Sequence, residues 1–586
     1  MDKKWIFTNL TPEQEDARHR LVQYRSSESR PACNELIADL LVRRGITTPE
    51  AANEFFHPDL TQLHDPFLIK DMDRAVARLN RAVHNKNKEK ILIYGDYDVD
   101  GTTAVSLVYK CLKRYDASLP LGYYIPNRYT EGYGVSQKGV EYARDNGYTL
   151  IITLDCGIKA IDNVARAAAM GIDTIICDHH TTDDQLPGAI AVLDSKREDD
   201  SYPYKGLSGC GVGFKLMQAF YQHNNVPFEA LCEHLDLVAV SIASDIVPLT
   251  GENRVLAWFG LQRLNTEPCP GLQGIINVCK MKQRITINDI VFRIGPRINA
   301  SGRMHSGHEV VELLISEDPE VVRQKSSSLN SYNEERREID KDTTEDAKML
   351  IENENHQQRH GIVVYNATWH KGIVGIVASR LVEEYYRPTV VLTKSADPDI
   401  LSGSARSIPG FDLYAAIDSC RDLLENFGGH MYAAGLSLKA ENLDTFSQRF
   451  DNYVAEHIAP DLLIPQENID IEITFAEITD VFLKQLKSFA PFGPENMRPV
   501  FCTRRVYDFK RRSRTVGKGQ DHLRLELIDA SSRTVMNGIA FNMKQFAEPL
   551  QAGQPMDICY TIGENTFNGV TSLQLQIHDI KCSEEP

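Results

Sequence analysis

KILIYGDYDVDGTT, residues 90–103, joins an apolar run to a knot of acids. Ile91 to Tyr94 has the composition of a buried strand, and Thr102 to Leu112 is compatible with a helix. Between them lie Asp96, Asp98, Asp100 and Gly101. Three carboxylates thus occupy one strand-to-helix turn, the place where open α/β sheets hold their ligands. Alternate acids on a tight turn repel one another unless a cation neutralises them. Oxygen-rich ligation of this kind suits Mg²⁺ or Mn²⁺. A calcium loop of the D-x-D-x-D-G type would need Glu at its twelfth position. Counting from Asp96 that position is Leu107, so this reading fails. A solvated acidic turn is the plain alternative to a metal site.

Working outward, the same pattern repeats. Leu121 to Pro126 reads as a strand and Ser136 to Asn146 as a helix. Thr149 to Leu154 is a strand ending at Asp155, and Lys159 to Met170 a helix. Asp173 to Cys177 is a strand ending at Asp178-His179-His180, and Ala189 to Leu193 is another. Strands alternating with helices predict an α/β fold with a parallel sheet. Three strand ends then deliver acids or histidines where they can converge. Asp245, after the apolar run Leu231 to Ile242, can reach the same place or simply end a helix. Leu207 to Gly213 is glycine-rich, but no acid follows at ribose spacing, so it reads as the opening turn of a helix.

The 586 residues allow roughly three or four domains of about 150 residues each. With 42% hydrophobic and 25% charged residues, the chain has the composition of a soluble globular protein. The start has no long apolar segment of a secretory signal, and no run of about 18 apolar residues predicts a membrane span. The twelve cysteines are scattered without a C-x-x-C pair, which fits buried thiols in a cytoplasmic protein. A net charge of −17 argues against nonspecific nucleic-acid binding by the whole surface. Local basic clusters remain: Arg293, Arg297 and Arg303, and the run Lys510 to Arg514.

The domain reading places an N-terminal helical appendage at 1–71, the metal-bearing domain at 72–265 and a connecting segment with a long charged helix at 266–355. A second α/β domain follows at 356–458, then a C-terminal OB-like β-barrel at 465–586 built from about five short strands. Gly428-Gly429-His430 in the second domain reads either as a tight turn with a packed imidazole or, in a chain with a metal site, as an element that lets backbone and His430 approach a phosphate.

GDYDVDG, the strand end at Asp155, the literal Asp178-His179-His180 and Asp245 resemble the four motifs of the DHH phosphoesterase superfamily, and the Gly428–His430 block looks like its DHHA1 domain. IPNRYTEGYG (125–134), PRINASGRM (296–304), TWHKGIVGIVASRL (368–381) and the barrel narrow the likeness to the single-strand-specific 5′→3′ DNA exonucleases within it. The resemblance spans the chain from about residue 75, with Tyr94 where many members start the first motif with a histidine ligand.

It implies a nuclease of DNA repair and recombination with two divalent ions, Mn²⁺ or Mg²⁺, about 3.5–4 Å apart. Asp98, Asp155 and Asp96 would serve one ion. Asp100, Asp155, His179 and Asp245 would serve the other, with Asp155 bridging. His180 would stabilise charge on the phosphoryl oxygens, and Asp178 would orient His179. Arg128, Ser404 and Arg406 would hold a 5′-phosphate, while Arg297, Arg303 and His430 would follow the strand near the scissile bond, over Gly428 and Gly429. The barrel would hold single-stranded DNA. A single-strand-binding protein and a helicase are implied partners, with no membrane. Two other classes stay open: a phosphoesterase for pyrophosphate, cyclic dinucleotides or short oligonucleotides, and a binding module without catalysis. The barrel and the IPNRYTEGYG arm weigh against the first, the intact acids against the second.

Overall fold

A computed structural model describes residues 3–23, 34–353, 356–567 and 570–583. The chain divides into two compact units, Leu60–Ile464, and Met1–Asp59 together with Pro465–Pro586.

In the first unit, β1 (Ile91–Gly95), β2 (Leu121–Tyr124), β3 (Leu150–Leu154), β4 (Asp173–Cys177) and β5 (Ala191–Leu193) form a sheet in the order β2-β1-β3-β4-β5. All four pairings are parallel. β1 and β3 are buried along their whole length, which is why they read as continuous apolar runs rather than alternating ones. The helices α1 (Val99–Tyr115), α2 (Gly209–His223) and α3 (Leu235–Ser244) share one core with the sheet, including Leu107, Val108, Phe214, Leu216, Leu237 and Val240.

The long charged helix is α4 (Pro319–Asn353), 35 residues; residues 354 and 355 of the expected span lie outside the described residues. Its apolar positions Ala347 and Ile351 join the cluster under the next sheet. That sheet contains β6 (Ile362–Tyr365), β7 (Thr389–Lys394), β8 (Ile400–Arg406), β9 (Leu424–His430) and β10 (Ala433–Lys439), in the order β9-β10-β8-β7-β6. Of its pairings, β6–β7 is parallel and the others are antiparallel. Helix α5 (Val374–Tyr385) packs on it through Val374, Val377 and Leu381.

The second unit is the barrel. β11 (Phe501–Asp508), β12 (His522–Asp529), β13 (Val535–Ala540), β14 (Met556–Phe567) and β15 (Val570–Cys582) pair β11–β12, β12–β13, β13–β15, β15–β14 and β14–β11. This closes the ring, with β13–β15 parallel and the other four pairs antiparallel, the topology of an OB barrel. The N-terminal segment is more than short helices. Lys4–Phe7 is a strand that pairs in parallel with Gln466–Ile469. Leu21, Ile37, Leu40 and Leu41 share the barrel's core with Phe475, Phe482 and Phe489. One helix of this segment runs Glu35–Arg43.

Candidate metal centre and phosphate cleft

The acidic turn after β1 does two things at once. Asp98 is the N-cap of α1 and its carboxylate accepts the Gly101 N–H at 3.1 Å. Asp100, two residues on in the first turn, is buried, and both its oxygens are claimed. Oδ2 accepts the Gly209 N–H at 2.7 Å, while Oδ1 accepts the Cys210 N–H at 2.8 Å and the Ser241 hydroxyl at 2.6 Å. The glycine-rich stretch 207–213 therefore opens α2, as its composition predicts, and its first free N–H groups pin an acid 109 residues upstream. Two glycines are steric necessities. A Cβ on Gly101 would sit 2.6 Å from the Asp96 backbone, and one on Gly209 would sit 2.5 Å from Asp155 Cβ.

Asp155 follows β3 with φ +59°, a left-handed conformation unusual for a residue with a side chain. His179 follows β4, and its Nε2 lies 3.1 Å from Asp155 Oδ1, 3.5 Å from Asp245 Oδ2 and 3.8 Å from Asp100 Oδ2. Asp245 arrives as the C-cap of α3. Asp155, His179 and His180 can share an ion, as can Asp100, His179 and Asp245.

A cation there would offset a crowded set of acids. Burial first, then neighbouring carboxylates, hold Asp96 and Asp155 well above the usual range; Asp98 and Asp245 are raised for the same two reasons, Asp245 to about 9. Burial pushes His179 down to about 4, so it is neutral and able to ligate. Asp96 Oδ1, Asp155 Oδ1 and both His179 ring nitrogens are buried without a hydrogen-bond partner among the described residues. Orphaned donors of this type in one cluster fit a bound divalent cation.

Asp178 does not orient His179 as expected. Its Oδ1 takes the His180 Nδ1 at 2.7 Å and reaches His179 only through the backbone N–H, at 2.8 Å. Its other oxygen, Oδ2, reaches across to the loop after β3 and accepts the Ile158 N–H at 2.9 Å. Burial lowers the His180 ring, but the Asp178 hydrogen bond and charge, with the charges of Asp100 and Asp98, together outweigh it and leave His180 raised. Tyr94 is also removed from the metal acids. Its buried hydroxyl accepts the Ser136 N–H at 3.0 Å and donates to Gly134 O at 3.1 Å. Tyr133, which the motif reading passed over, donates its hydroxyl to Asp155 O at 2.9 Å and stands edge-on to His180. Its place in the IPNRYTEGYG arm was the available signal.

The arginines separate into two sets. Arg128 lies over the Tyr97 ring at 4.8 Å. Arg406, on β8, donates to Ser404 Oγ at 2.7 Å, and a Cβ on Gly375 at the start of α5 would touch both residues. Arg303 donates to Gly372 O at 3.2 Å, and the Tyr129 hydroxyl donates to Arg303 O. Burial, then Arg128 and Arg406, push the Arg303 guanidinium down to about 10, and burial with Arg128 lowers Arg406. Three cations thus repel one another in one cleft. Arg297 is not among them: its Nε donates to Asn330 at 3.0 Å and its NH1 to Arg293 O at 2.8 Å, against α4. His430, exposed on the edge strand β9, is paired with Ala433, which pairs in turn with Arg406. Two strand spacings put it roughly 10 Å from Arg406. In the next row of that face, Ser404, Gly435 and Gly428 align, so the sheet beside Ser404 carries no side chains over two strands. Gly429, with φ +150°, takes a backbone conformation that favours glycine.

A parallel sheet with acids and paired histidines at its carboxyl edge, followed by a second α/β layer, defines a DHH-family protein. The family models agree: DHH family, N-terminal domain, matches residues 90–242, the DHHA1 domain 359–456 and the RecJ OB domain 469–579. The chain is 35% identical to the single-stranded-DNA-specific exonuclease RecJ of Bacillus subtilis, over 94% of this chain and 68% of that one. It is 33% identical to the RecJ of Salmonella typhimurium, over 87% and 90%. It belongs to the RecJ family. A crystal structure of exonuclease RecJ bound to manganese superposes with TM-score 0.59 at 28% identity, covering 69% of this chain and 98% of that one. The fold as a whole matches RecJ of Thermus thermophilus in complex with Mn²⁺, with TM-score 0.82 at 23% identity, over 99% of this chain and 80% of that one.

Proposed function

We propose that the protein is an exonuclease specific for single-stranded DNA, degrading it 5′→3′ to mononucleotides with two divalent ions, Mn²⁺ or Mg²⁺. The observation that carries this is the adjacency of two arrays in one unit: the orphaned acid–histidine cluster, and the cleft of Arg128, Arg303 and Arg406. By this reading Asp96, Asp98 and Asp155 hold one ion, and Asp100, Asp155, His179 and Asp245 the other. Bound there, the ions supply a water acidified enough to attack at neutral pH and offset charge on the phosphodiester. The chain's residues do the rest. Gly209, Cys210 and Ser241 fix the Asp100 carboxylate so that its oxygens do not rotate away. His180, kept in one tautomer by Asp178, donates to a phosphoryl oxygen. Arg128 and Arg406, with Ser404, bind a terminal 5′-phosphate, and the bare strip at Gly435 and Gly428 admits the backbone behind it. Arg303 and His430 contact the strand beyond it, while Arg297, committed to Asn330 and Arg293 O, does not.

The domain reading carries over as part of the proposal, save for the N-terminal appendage: a metal-bearing domain at 72–265, a connecting segment, a second α/β domain at 356–458 and a strand-binding barrel at 465–586, whose core takes in Leu21, Ile37, Leu40 and Leu41. Single-stranded DNA is the partner this reading requires. A single-strand-binding protein and a helicase fit as suppliers of that strand, and a role in repair and recombination in the cytoplasm goes with it. No described helix is long and apolar enough to cross a membrane.

The test is digestion of single- and double-stranded DNA labelled at either end, with Mn²⁺, Mg²⁺ or chelator. Release of 5′-labelled mononucleotides from single strands only, abolished by chelator, is expected. First release of a 3′ label, or preference for a cyclic dinucleotide, overturns the reading.

A further inference from the structure

At the far end of α1 from the metal acids lies a cavity of about 500 Å³. Lys110, Lys113, Arg114 and Arg263 line it with His234. Two helices begin there without a side-chain cap, α3 after His234 and Pro270–Val278 after Cys269. Asp236 already bridges these two N-termini, accepting the Leu237 N–H at 2.8 Å and the Cys269 N–H at 2.7 Å. The helix starts are thus already served, and what draws an anion is the lining itself: four cations against Glu233, Glu267 and Glu317, which leaves the cavity net positive.

Two donors there remain unserved. His234 is 7% exposed, and its Nε2 has no partner among the described residues; neither does the buried Nε of Arg263. Burial, then Lys110, Arg114 and Arg263, push the imidazole down to about 4, so it is a neutral group among cations. The cations' present partners are loosely held. Glu317 on Lys110 and Glu267 on Arg263 are 71% and 74% exposed, whereas Lys110 is only 13% exposed. Exposed carboxylates of this kind contribute little to stability and are readily exchanged for a better anion. Tyr109, Pro268, Pro270 and Ile315 supply an apolar wall, and the volume suits a small ligand with a flat body.

We propose that this cavity is a second ligand site, binding a phosphomonoester of nucleotide size with its phosphate against His234, Arg263 and Lys110. The site stands or falls separately from the exonuclease reading. The metal centre and this pocket sit at opposite ends of the same helix, α1, which spans about 25 Å at 1.5 Å per residue.

Calorimetric titration of the full chain with deoxyadenosine 5′-monophosphate, in chelator and at fixed ionic strength, tests it. One saturable site is expected, weakened about tenfold or more by Lys110→Gln and by Arg263→Gln, the loss of one charge-assisted contact. Asp155→Ala is expected to leave it intact, and deoxyadenosine to bind far more weakly. If either cavity variant fails to fold, the imidazole resonances of His234 in the unaltered protein, assigned with His234→Gln, decide by shifting with the nucleotide. Binding that survives both charge substitutions, that vanishes in Asp155→Ala, or that leaves the His234 resonances unmoved overturns the proposal. So does equal affinity for the nucleoside.

Discussion

The Gly209 N–H points at Asp100 Oδ2 from 2.7 Å, while its Cα faces Asp155 so closely that a Cβ there would lie 2.5 Å from Asp155 Cβ. One residue without a side chain thus sets two of the acids. Gly209→Ala should cost about a hundredfold in turnover, the scale of an ångström-sized misplacement, with little change in helix content. Steady-state rates beside far-ultraviolet circular dichroism check this; near-normal turnover would show that α2 does not position the acids.

Asp155→Asn should remove nuclease activity by several orders of magnitude, because Asp155 is the proposed bridge. The same change should stabilise the metal-free protein, since it removes a buried charge repelled by Asp100, Asp98 and Asp245. The sign with pH follows. A carboxyl raised above its ordinary value of 3.8 is easiest to bury when protonated, so its contribution is lost as pH rises. The advantage of Asp155→Asn over the unaltered chain should therefore grow from about pH 4 upward, and shrink when Mn²⁺ is added. Melting temperatures across pH, with and without metal, would expose the opposite trend.

Arg128→Ala or Arg406→Ala should reduce digestion of 5′-phosphorylated strands about ten- to a hundredfold, since a charge-assisted contact contributes about 1.5–3 kcal/mol. Strands ending in a 5′-hydroxyl should lose far less. Equal losses on both ends would remove the terminal-phosphate assignment.

On the barrel, Arg512 is tied to Glu526 at 2.9 Å, whereas Lys510, Arg511 and Arg514 are exposed. Neutralising those three should weaken binding of long single strands and lower the salt slope by about two units, at roughly 0.7 per contact. Arg512→Gln alone should change the slope least. Titrations at several salt concentrations discriminate; an unchanged slope in the triple variant would place the strand elsewhere.

The sheet and its acids were legible because a parallel strand buried on both faces is an apolar run, and the acid that ends it is conspicuous. Asp96, Asp155 and His179 could be placed on one sheet edge from that pattern alone. What holds them was not legible. Ser241 and Gly209 act through a hydroxyl and a backbone N–H, groups that most helices also carry, and neither marks the sequence. The partner of Asp178 depended on which way a carboxylate turns within a three-residue loop. Arg297 shares a motif with Arg303, yet the helical turn between them sends one against α4 and the other into the cleft.

The parallel pairing of Lys4–Phe7 with Gln466–Ile469 bears on biosynthesis. Lys4–Phe7 finds its partner only after more than four hundred further residues have been made. At about 5–20 residues per second, that is a wait of roughly 20–90 s on the ribosome. Through it, the apolar faces bearing Leu21, Ile37, Leu40 and Leu41 have no barrel to cover them. The nascent chain must therefore carry an uncovered hydrophobic segment while the metal-bearing domain folds behind it, and chaperone demand should concentrate there.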